Sequence, residues 1–393
     1  MIRNLKIYQI FNSKGTPSVM VKIWTDSSSY SASIPSGTSK GRYEARELPM
    51  DKVFRNFSRI RPNFIGRDER DWRGTDDLLQ RLDGTENFSK LGENLSLAIS
   101  IACARSAFSN SLWKLHKPRM GVEFPIPLGN VIGGGKHMGG TDWQEFLVIP
   151  YAAKSPAEAV ETMLNIWVFI GEEMRKKKML IGKNLENAWM TRLDDIKTLD
   201  LLSDIADDWK ARLGIDFASS SLWNGKRYVY KKLGKSLTPG QQIDFVEEIA
   251  RKYRLYYLED PIYESGFGQF MILNHDLGKD CIIAGDDLYC TNPKRLANGI
   301  RKSSTNGIII KPNQIGTLSL ADSVVRIARE NGMIIIPSHR SGETEDNWLA
   351  DLSIAWDAPF IKSGITGSDM TKLNRLIELW EEIPEVRMAD LPI

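Results

Sequence analysis

Apolar and polar residues follow two different patterns along the chain, and the change between them divides it into two parts. Near the amino terminus, residues 5–10 and 18–24 are rich in Ile, Val, Tyr and Trp and are separated by the turn-forming segment 12–17, which predicts a pair of strands. In the segment Leu95–His116, apolar residues recur at helical spacing. The first part of the chain is therefore predicted to be an α+β domain.

Beyond about residue 125, short apolar runs alternate with amphipathic helices, a pattern typical of repeated βα units. Helices in this part carry their own start signals. Ser155 and Thr238 each stand directly before a proline, and a Glu or Gln follows three positions after each of them. We therefore predict the α/β class, with an α/β barrel over residues 123–393 preceded by a smaller α+β lid domain over residues 1–122.

Composition is that of an ordinary globular protein and argues against several other classes. Hydrophobic residues make up 42% of the chain and charged residues 26%. The chain has 52 basic and 50 acidic residues, so its net charge is only +2. Neither nucleic acid nor an anionic membrane is therefore an expected partner. The three cysteines lack metal-type spacing and do not suggest a disulfide framework. With no apolar run of about 18 residues, we expect a cytoplasmic protein.

Six predicted strands in the second part of the chain end in residues with ionisable side chains. They are the segments Leu213–Asp216, Leu255–Glu259, Cys281–Asp286, Gly307–Lys311, Met333–His339 and Phe360–Lys362. In an eight-stranded parallel barrel, the carboxyl ends of all strands lie on one face, where the loops build the active site. The ionisable side chains are therefore expected to converge, although they are far apart in the sequence.

Three of these strand ends carry carboxylates, namely Asp216, Glu259 and Asp286. Carboxylate oxygens suit Mg2+ better than the His and Cys ligands that zinc favours, and a divalent cation would offset their mutual repulsion. Any one of the three alone would more often cap a loop or pair with a surface base. Their occurrence at successive strand ends favours a magnesium site.

Two lysines, Lys311 and Lys362, follow other strands and are expected near this anionic centre. An amine there can bind a carboxylate or, if its pKa is lowered, remove a proton, and the alternative is a pair of structural salt bridges. Next to them, His339, Arg340 and Ser341 supply a titratable ring, a bidentate donor and a hydroxyl, which together suit a phosphate group.

Two glycine-rich segments, Pro35–Gly41 and Gly133–Gly140, match neither the dinucleotide fingerprint nor the P-loop. The first is rich in hydroxyl residues and suits a loop that closes over a bound anion and metal. The second is suited to bring His137 to a ligand. The alternative for both is a simple surface turn.

Several of these blocks resemble, in order, the motifs of the enolase (phosphopyruvate hydratase) family. The most distinctive is Ser338–Asp346, and it is supported by Lys311–Gly316, Gly285–Leu288, Thr291–Arg295 and Glu259–Pro261. The resemblance extends from about Ile7 to Ile383. It implies a homodimer acting on 2-phosphoglycerate, phosphoenolpyruvate or a close analogue through an enolate-like state, with two Mg2+ ions.

The resemblance also implies a role for each matching residue. Asp216, Glu259 and Asp286 would hold the first Mg2+, and Ser39 in the lid would help to bind the second, substrate-bridging ion. Lys311 would remove the proton beside the substrate carboxylate, Lys362 would stabilise the resulting charge, and Glu145 would lie near the leaving group. The remaining matches are substrate and phosphate contacts, namely His137, Gln144, His339, Arg340, Ser341 and Ser39, and His339 is also assigned a catalytic role.

One loop departs from the family pattern. The family carries Gly-Asp-Glu-Gly-Gly, whose Glu assists departure of hydroxide, whereas Gly182–Trp189 reads Gly-Lys-Asn-Leu-Glu-Asn-Ala-Trp. In this alignment Asn184 replaces the acid, Gly133 stands where the family has Asn, and Glu186 substitutes only if the loop is shifted in register. Two alternatives follow: altered chemistry, as in the related carboxyphosphonoenolpyruvate synthase, or a noncatalytic binding protein on the same scaffold.

Overall fold

The structure, a computed structural model, describes residues 1–38, 41–116, 121–137 and 140–393, without the side chain of His137. In this part of the chain the strands are β1 (Ile2–Phe11), β2 (Pro17–Thr25), β3 (Ser29–Ser33), β4 (Val122–Phe124), β5 (Ile126–Gly133), β6 (Glu145–Ile149), β7 (Leu180–Lys183), β8 (Trp189–Thr191), β9 (Arg212–Asp216), β10 (Tyr228–Tyr230), β11 (Lys235–Leu237), β12 (Tyr257–Glu259), β13 (Ile282–Gly285), β14 (Gly307–Ile310), β15 (Ile334–Pro337), β16 (Phe360–Gly364) and β17 (Val386–Met388). The helices are α1 (Met50–Ile60), α2 (Trp72–Asp83), α3 (Glu93–Ala107), α4 (Pro156–Lys176), α5 (Asp195–Ala206), α6 (Pro239–Lys252), α7 (Phe267–Leu277), α8 (Pro293–Lys302), α9 (Leu318–Glu330), α10 (Trp348–Ala355) and α11 (Met370–Glu382). None of these helices is long and apolar enough to cross a membrane.

The first part of the chain packs a three-stranded antiparallel sheet against helices. Strands β1, β2 and β3 are neighbours in that order, and α3 lies against β2 and β3. The predicted strand pair is confirmed. The predicted helix is shorter than expected, because Ser109 and Asn110 adopt left-handed backbone just beyond Ala107, and Leu112–His116 forms a separate 3-10 turn.

The second part of the chain contains an eight-stranded barrel with helices around it. The barrel strands follow the order β5, β6, β9, β12, β13, β14, β15 and β16, and β16 pairs with β5 to close the ring. A bridge between Ser338 and Lys362 joins β15 to β16. The predicted helix starts are confirmed, since the side chains of Ser155 and Thr238 accept hydrogen bonds from the first turns of α4 and α6.

One barrel strand runs against the others, so the expectation of an all-parallel barrel is wrong for β6. This strand pairs antiparallel with both β5 and β9. The described residues between β5 and β6 form no crossover α-helix, and a parallel neighbour would require such a crossover connection. Glu145, the first residue of β6, is the register partner of Asp216, the last residue of β9. The reversal therefore brings Glu145 to the rim where the other strands end.

Apolar side chains fill the inside of the barrel below that rim. The cluster comprises Ile126, Leu128, Leu147, Ile149, Tyr256, Tyr257, Ile282, Ala284, Ile309, Ile336 and Phe360. As in other α/β barrels, this interior is a packed core and not a channel. A ligand can therefore reach the strand ends only from the rim.

The helices of the first part of the chain cap a barrel helix. The backbone N–H groups of Leu318 and Ser319, in the first turn of α9, donate to Ser100 Oγ at 2.9 Å and Asp76 Oδ2 at 2.8 Å. These groups have no partner within their own helix. The caps thus fix α2 and α3 against the barrel, beside the rim.

Candidate active site

A cavity at the barrel rim collects most of the residues predicted from the sequence. Its lining includes Gln144, Glu145, Asp216, Asp286, Lys311, His339, Arg340, Ser341 and Lys362. Glu259 lies fully buried directly beneath, where it contacts Lys362. Ser39 lies outside the described residues, and only the backbone of His137 is described, in the 3-10 turn Gly135–His137. The convergence expected from the strand ends is therefore present, whereas the individual roles stay predictions.

Lys362 lies at the centre of the carboxylate cluster. Its Nζ atom is 2.7 Å from Glu259, 2.9 Å from Asp216 and 3.1 Å from Glu145. Burial disfavours the charged amine, but Asp216, Glu145 and Glu259 outweigh this effect and raise the pKa of Lys362 well above its usual value. The carboxylates around Lys362 therefore favour its charged form, and its role stays a prediction.

Lys311 and Asp286 form a second ion pair on the neighbouring strand ends. Lys311 Nζ contacts Asp286 Oδ2, and Gln314 Nε2 donates to the other oxygen of Asp286 at 3.1 Å. Asp260 holds the backbone in place, since its carboxylate accepts from the N–H groups of Asp286 and Asp287 at 3.1 and 2.6 Å. Burial lowers the pKa of Lys311, but the charge of Asp286 more than compensates and raises it above the usual value.

The rim has oxygen ligands and negative charge of the kind that a divalent cation needs. Glu259 Oε1 and Gln144 Oε1 are buried and make no hydrogen bond to any described residue. Burial and repulsion by Asp216 raise the pKa of Glu259 to about 8. A hard cation would relieve this repulsion. Asp286 lies in a different group, with Asp260 and Asp287, whose ligand atoms are all within 4.8 Å of one another. Its carboxylate contacts Lys311 and does not form such a group with Asp216 and Glu259 in this structure.

His339, Arg340 and Ser341 form the cationic side of the cavity. His339 Nδ1 is 2.9 Å from Asp369 Oδ1, and although burial lowers the pKa of the imidazole, Asp369 raises it to about 9. Arg340 is held by Glu44 at 3.1 Å and by Asn313 at 3.0 Å. His339 is therefore charged at neutral pH, beside a fixed guanidinium.

The lid segment lies against this cationic side. The backbone N–H of Thr38 donates to Ser341 Oγ at 2.8 Å, and the two hydroxyls are 2.7 Å apart. A side-chain carbon at Gly37 would come within 1.9 Å of Arg340 Nη2, so this close approach requires glycine. The predicted phosphate contact Ser341 is therefore already engaged by the lid in this arrangement.

The acid of the loop Gly182–Trp189 is Glu186. Its Oε2 accepts from Asn130 Nδ2 at 3.1 Å, it lines the cavity, and its ligand atoms lie within 4.8 Å of those of Glu145 and His339. Asn184, by contrast, is not a lining residue, because its Oδ1 accepts from the backbone N–H groups of Glu186 and Ala188. Glu186 therefore lies in the cavity, as the shifted register of the loop predicts, and its role as the acid stays a prediction.

Four further residues of the site were missed by sequence reasoning: Glu44 and Asp287 line the cavity, and Gln314 and Asp369 contact the lining residues Asp286 and His339. Asp287 and Gln314 belong to segments that carry the family resemblance, so their position was a usable signal. Glu44 and Asp369 act through Arg340 and His339, which lie 296 and 30 residues away in the chain. No local pattern links such partners.

Similarity to known proteins covers the whole chain. The family model described as "Enolase, N-terminal domain" matches residues 2–117, and the one described as "Enolase, C-terminal TIM barrel domain" matches residues 121–389. The enolase of Methanosphaera stadtmanae is 38% identical over 411 aligned positions, which cover 100% of this chain and 99% of the relative. The enolase of Picrophilus torridus is 39% identical over 399 positions, covering 97% and 99%. This full-length similarity shows that the chain belongs to the enolase family as an enolase-type lyase.

Proposed function

We propose that the protein catalyses the reversible dehydration of 2-phosphoglycerate to phosphoenolpyruvate with Mg2+. The observation that carries this proposal is that one cavity is lined by a lysine suited to remove a proton, Lys311, and by two carboxylates suited to assist the leaving hydroxyl, Glu145 and Glu186. Both halves of a dehydration are therefore provided for in one place. We further propose that residues 1–122 act as the lid domain and residues 123–393 as the barrel domain of this enzyme.

In this proposal Asp216, Glu259 and Asp286 hold one Mg2+, and Ser39 and the substrate take part in holding a second. When bound, the metal would neutralise these carboxylates, weaken the ion pair that raises the pKa of Lys311, and counter the charge that develops on the substrate carboxylate. Lys311 removes the proton next to that carboxylate. Lys362, which stays charged, stabilises the negative charge that follows.

Departure of the hydroxyl falls to the carboxylates on the other wall. Glu186 and Glu145 lie side by side near the cationic ring of His339. Glu186, held by Asn130, supplies the proton to the leaving oxygen, and Glu145, tied to Lys362, orients the hydroxyl together with Gln144. General acid assistance of this kind is worth about 10²–10⁴ in rate.

The cationic side binds the phosphate in this proposal. His339, Arg340 and Ser341 carry two positive charges and a hydroxyl, and His137 adds a contact from the loop after β5. A phosphate dianion bound there would fix the substrate so that its carboxylate faces the metal ligands. We also propose a cytoplasmic homodimer, for which the exposed apolar residues Val168 and Phe169 of α4 and Ile181 of the adjoining β7 offer a contact surface.

The position of Glu186 weakens the case for altered chemistry. A reaction like that of carboxyphosphonoenolpyruvate synthase is an alternative if the loop lacks an acid. Glu186 lies in the cavity beside Glu145, so no described feature of the site calls for a different leaving group. A noncatalytic role is not consistent with the enolase-type lyase family to which the chain belongs.

The proposal is tested by assaying 2-phosphoglycerate with Mg2+ and following both phosphoenolpyruvate formation and exchange of the α-proton with solvent deuterium. Glu186→Gln should lower dehydration by about 10²–10⁴-fold while exchange continues, because only the acid is lost. Lys311→Ala should abolish both, and Asn184→Glu should not raise dehydration.

The exposed Glu161→Gln on α4 is the matched control and should behave as wild type. A wild-type protein that neither exchanges the α-proton nor forms phosphoenolpyruvate would refute the proposed substrate. If Glu186→Gln kept full dehydration, Glu186 would not be the acid.

A further inference from the structure

The loop that carries Glu186 is fastened to the body of the protein on one side by two tryptophans. Trp167 of α4 and Trp189 of β8 stack with ring centroids 4.3 Å apart. The Trp189 ring N–H donates to the Trp167 carbonyl at 2.6 Å, and the Trp167 ring N–H donates to the carbonyl of Asn187 at 3.1 Å. The end of the loop is therefore fixed to α4, although the loop lacks the paired glycines of the family motif.

Asn184 folds the other end of the loop into a tight turn. Its Oδ1 accepts from the N–H groups of Glu186 at 3.0 Å and Ala188 at 2.9 Å, and its own N–H donates to the Ala188 carbonyl at 2.9 Å. An Asn side chain that accepts backbone N–H groups in this way replaces the bonds of regular structure. Because one of those N–H groups belongs to Glu186 itself, the amide of Asn184 sets the direction in which the acid leaves the backbone.

Space for the Asn184 side chain exists only because residue 133 is glycine. A side-chain carbon at Gly133 would lie 2.1 Å from Asn184 Nδ2 and 3.3 Å from the Ala188 side chain. Asn184 is buried, and its Nδ2 makes no hydrogen bond to a described residue, so the amide is retained for its oxygen and its shape. Gly133 is also the register partner of Glu145. The contact between Gly133 and Asn184 therefore lies next to the backbone of both Glu145 and the Glu186 loop.

We infer that Asn184 is a positioning residue for Glu186, and that Asn184 and Gly133 act as a pair in which the missing side chain at 133 admits the side chain from 184. This inference rests on the proposed role of Glu186 as the acid. Asn184 does not touch the substrate. It holds the carboxylate where the leaving hydroxyl needs it, and displacements of about 1 Å in such groups cost about 10²-fold in rate.

The test measures kcat and KM for 2-phosphoglycerate dehydration, and α-proton exchange, in a small set of variants. Asn184→Ala should lower kcat for dehydration about 10²-fold, with exchange and KM within about threefold of wild type. Asn184→Asp keeps an oxygen acceptor of the same shape and should recover to within about tenfold. Gly133→Ala should reproduce the loss of Asn184→Ala, because the new methyl group displaces the amide.

Combining Gly133→Ala with Asn184→Ala should add little further loss, since two changes that act through one contact are not additive. The matched control is Asn224→Ala, because Asn224 Oδ1 accepts from two backbone N–H groups in the same manner in an exposed loop. This control should leave kcat unchanged.

Equal losses of exchange and dehydration in Asn184→Ala, or no recovery in Asn184→Asp, would overturn the pairing. If Asn184→Ala does not fold, Gly133→Ala and Asn184→Asp decide the matter by the same measurements. Glu186→Gln distinguishes failure of the proposed acid from failure of the positioning role. Normal dehydration in Glu186→Gln refutes Glu186 as the acid. A large loss in Glu186→Gln, combined with normal dehydration in Asn184→Ala, refutes only the positioning role of Asn184.

Discussion

Replacing Asp369 by Asn should discharge the histidine of the active site at neutral pH. His339 Nδ1 and Asp369 Oδ1 are 2.9 Å apart, and both side chains are almost fully buried. Glu186 and Glu145 also act on the ring electrostatically, and Lys372 lies 3.5 Å from the same Asp369 oxygen. The carboxylate of Asp369 is thus the nearest counter-charge of the imidazolium.

The size of the effect follows from the pKa of the ring. Burial lowers that pKa, but Asp369, together with Glu186 and Glu145, outweighs this effect and raises it from 6.5 to about 9. Since one pKa unit corresponds to 1.36 kcal/mol, these surroundings together stabilise the charged ring by about 3 kcal/mol, and Asp369 contributes the most. The folded-state pKa is the raised one, so this contribution to stability is fully present below about pH 6.5 and is lost as the pH rises through about 9.

Nuclear magnetic resonance can follow this ring directly, because the chain has only four histidines. We expect His339 to titrate near pH 9 in the wild type and below pH 7 in Asp369→Asn. The KM for 2-phosphoglycerate should rise more in the variant at pH 8 than at pH 6, because the ring is then neutral. Asp351→Asn is a matched control that breaks a buried pair with Arg375. A His339 pKa in Asp369→Asn within about half a unit of wild type would refute the reasoning.

Two further variants test the domain contact and the metal centre. Burial raises the pKa of Asp76 to about 6, so its stabilising contribution is present below its usual pKa and is lost as the pH rises through 6. Between pH 4 and pH 7, the free energy of unfolding in urea should therefore fall by about 2 kcal/mol more in wild type than in Asp76→Asn, and parallel pH profiles would contradict this. Calorimetric Mg2+ binding should weaken at least tenfold in Glu259→Gln and stay unchanged in the exposed Glu248→Gln; equal affinities would remove Glu259 from the ligand set.

The convergence of the ionisable groups could be predicted from the sequence because strand ends of a barrel share one rim. Asp216, Glu259, Lys311 and Lys362 follow short apolar runs, and each lies at the rim beside its neighbours. The α/β class and the starts of α4 and α6 were accessible for a similar reason. Periodicity and capping residues act within a few positions, so a local pattern contains the needed information.

The direction of β6 and the register of the loop Gly182–Trp189 could not be predicted from local sequence patterns. Strand direction depends on how the chain between β5 and β6 crosses the rim, and both directions give the same apolar pattern. In the loop, the spacing of the family motif matches Asn184 to the family acid. The turn that Asn184 closes with its own side chain brings Glu186 to the cavity, and this turn depends on the space beside Gly133, which belongs to a distant strand.

The sequence by itself determined which residues reach the rim, because apolar periodicity places a strand end without reference to the rest of the molecule. Only the tertiary structure decided which charges meet there. Arg340 pairs with Glu44 from the opposite end of the chain, and Lys362 is shared by Glu145, Asp216 and Glu259. The physical reason is that electrostatic energy depends on distance and burial in the folded chain, and neither quantity is contained in the order of the residues.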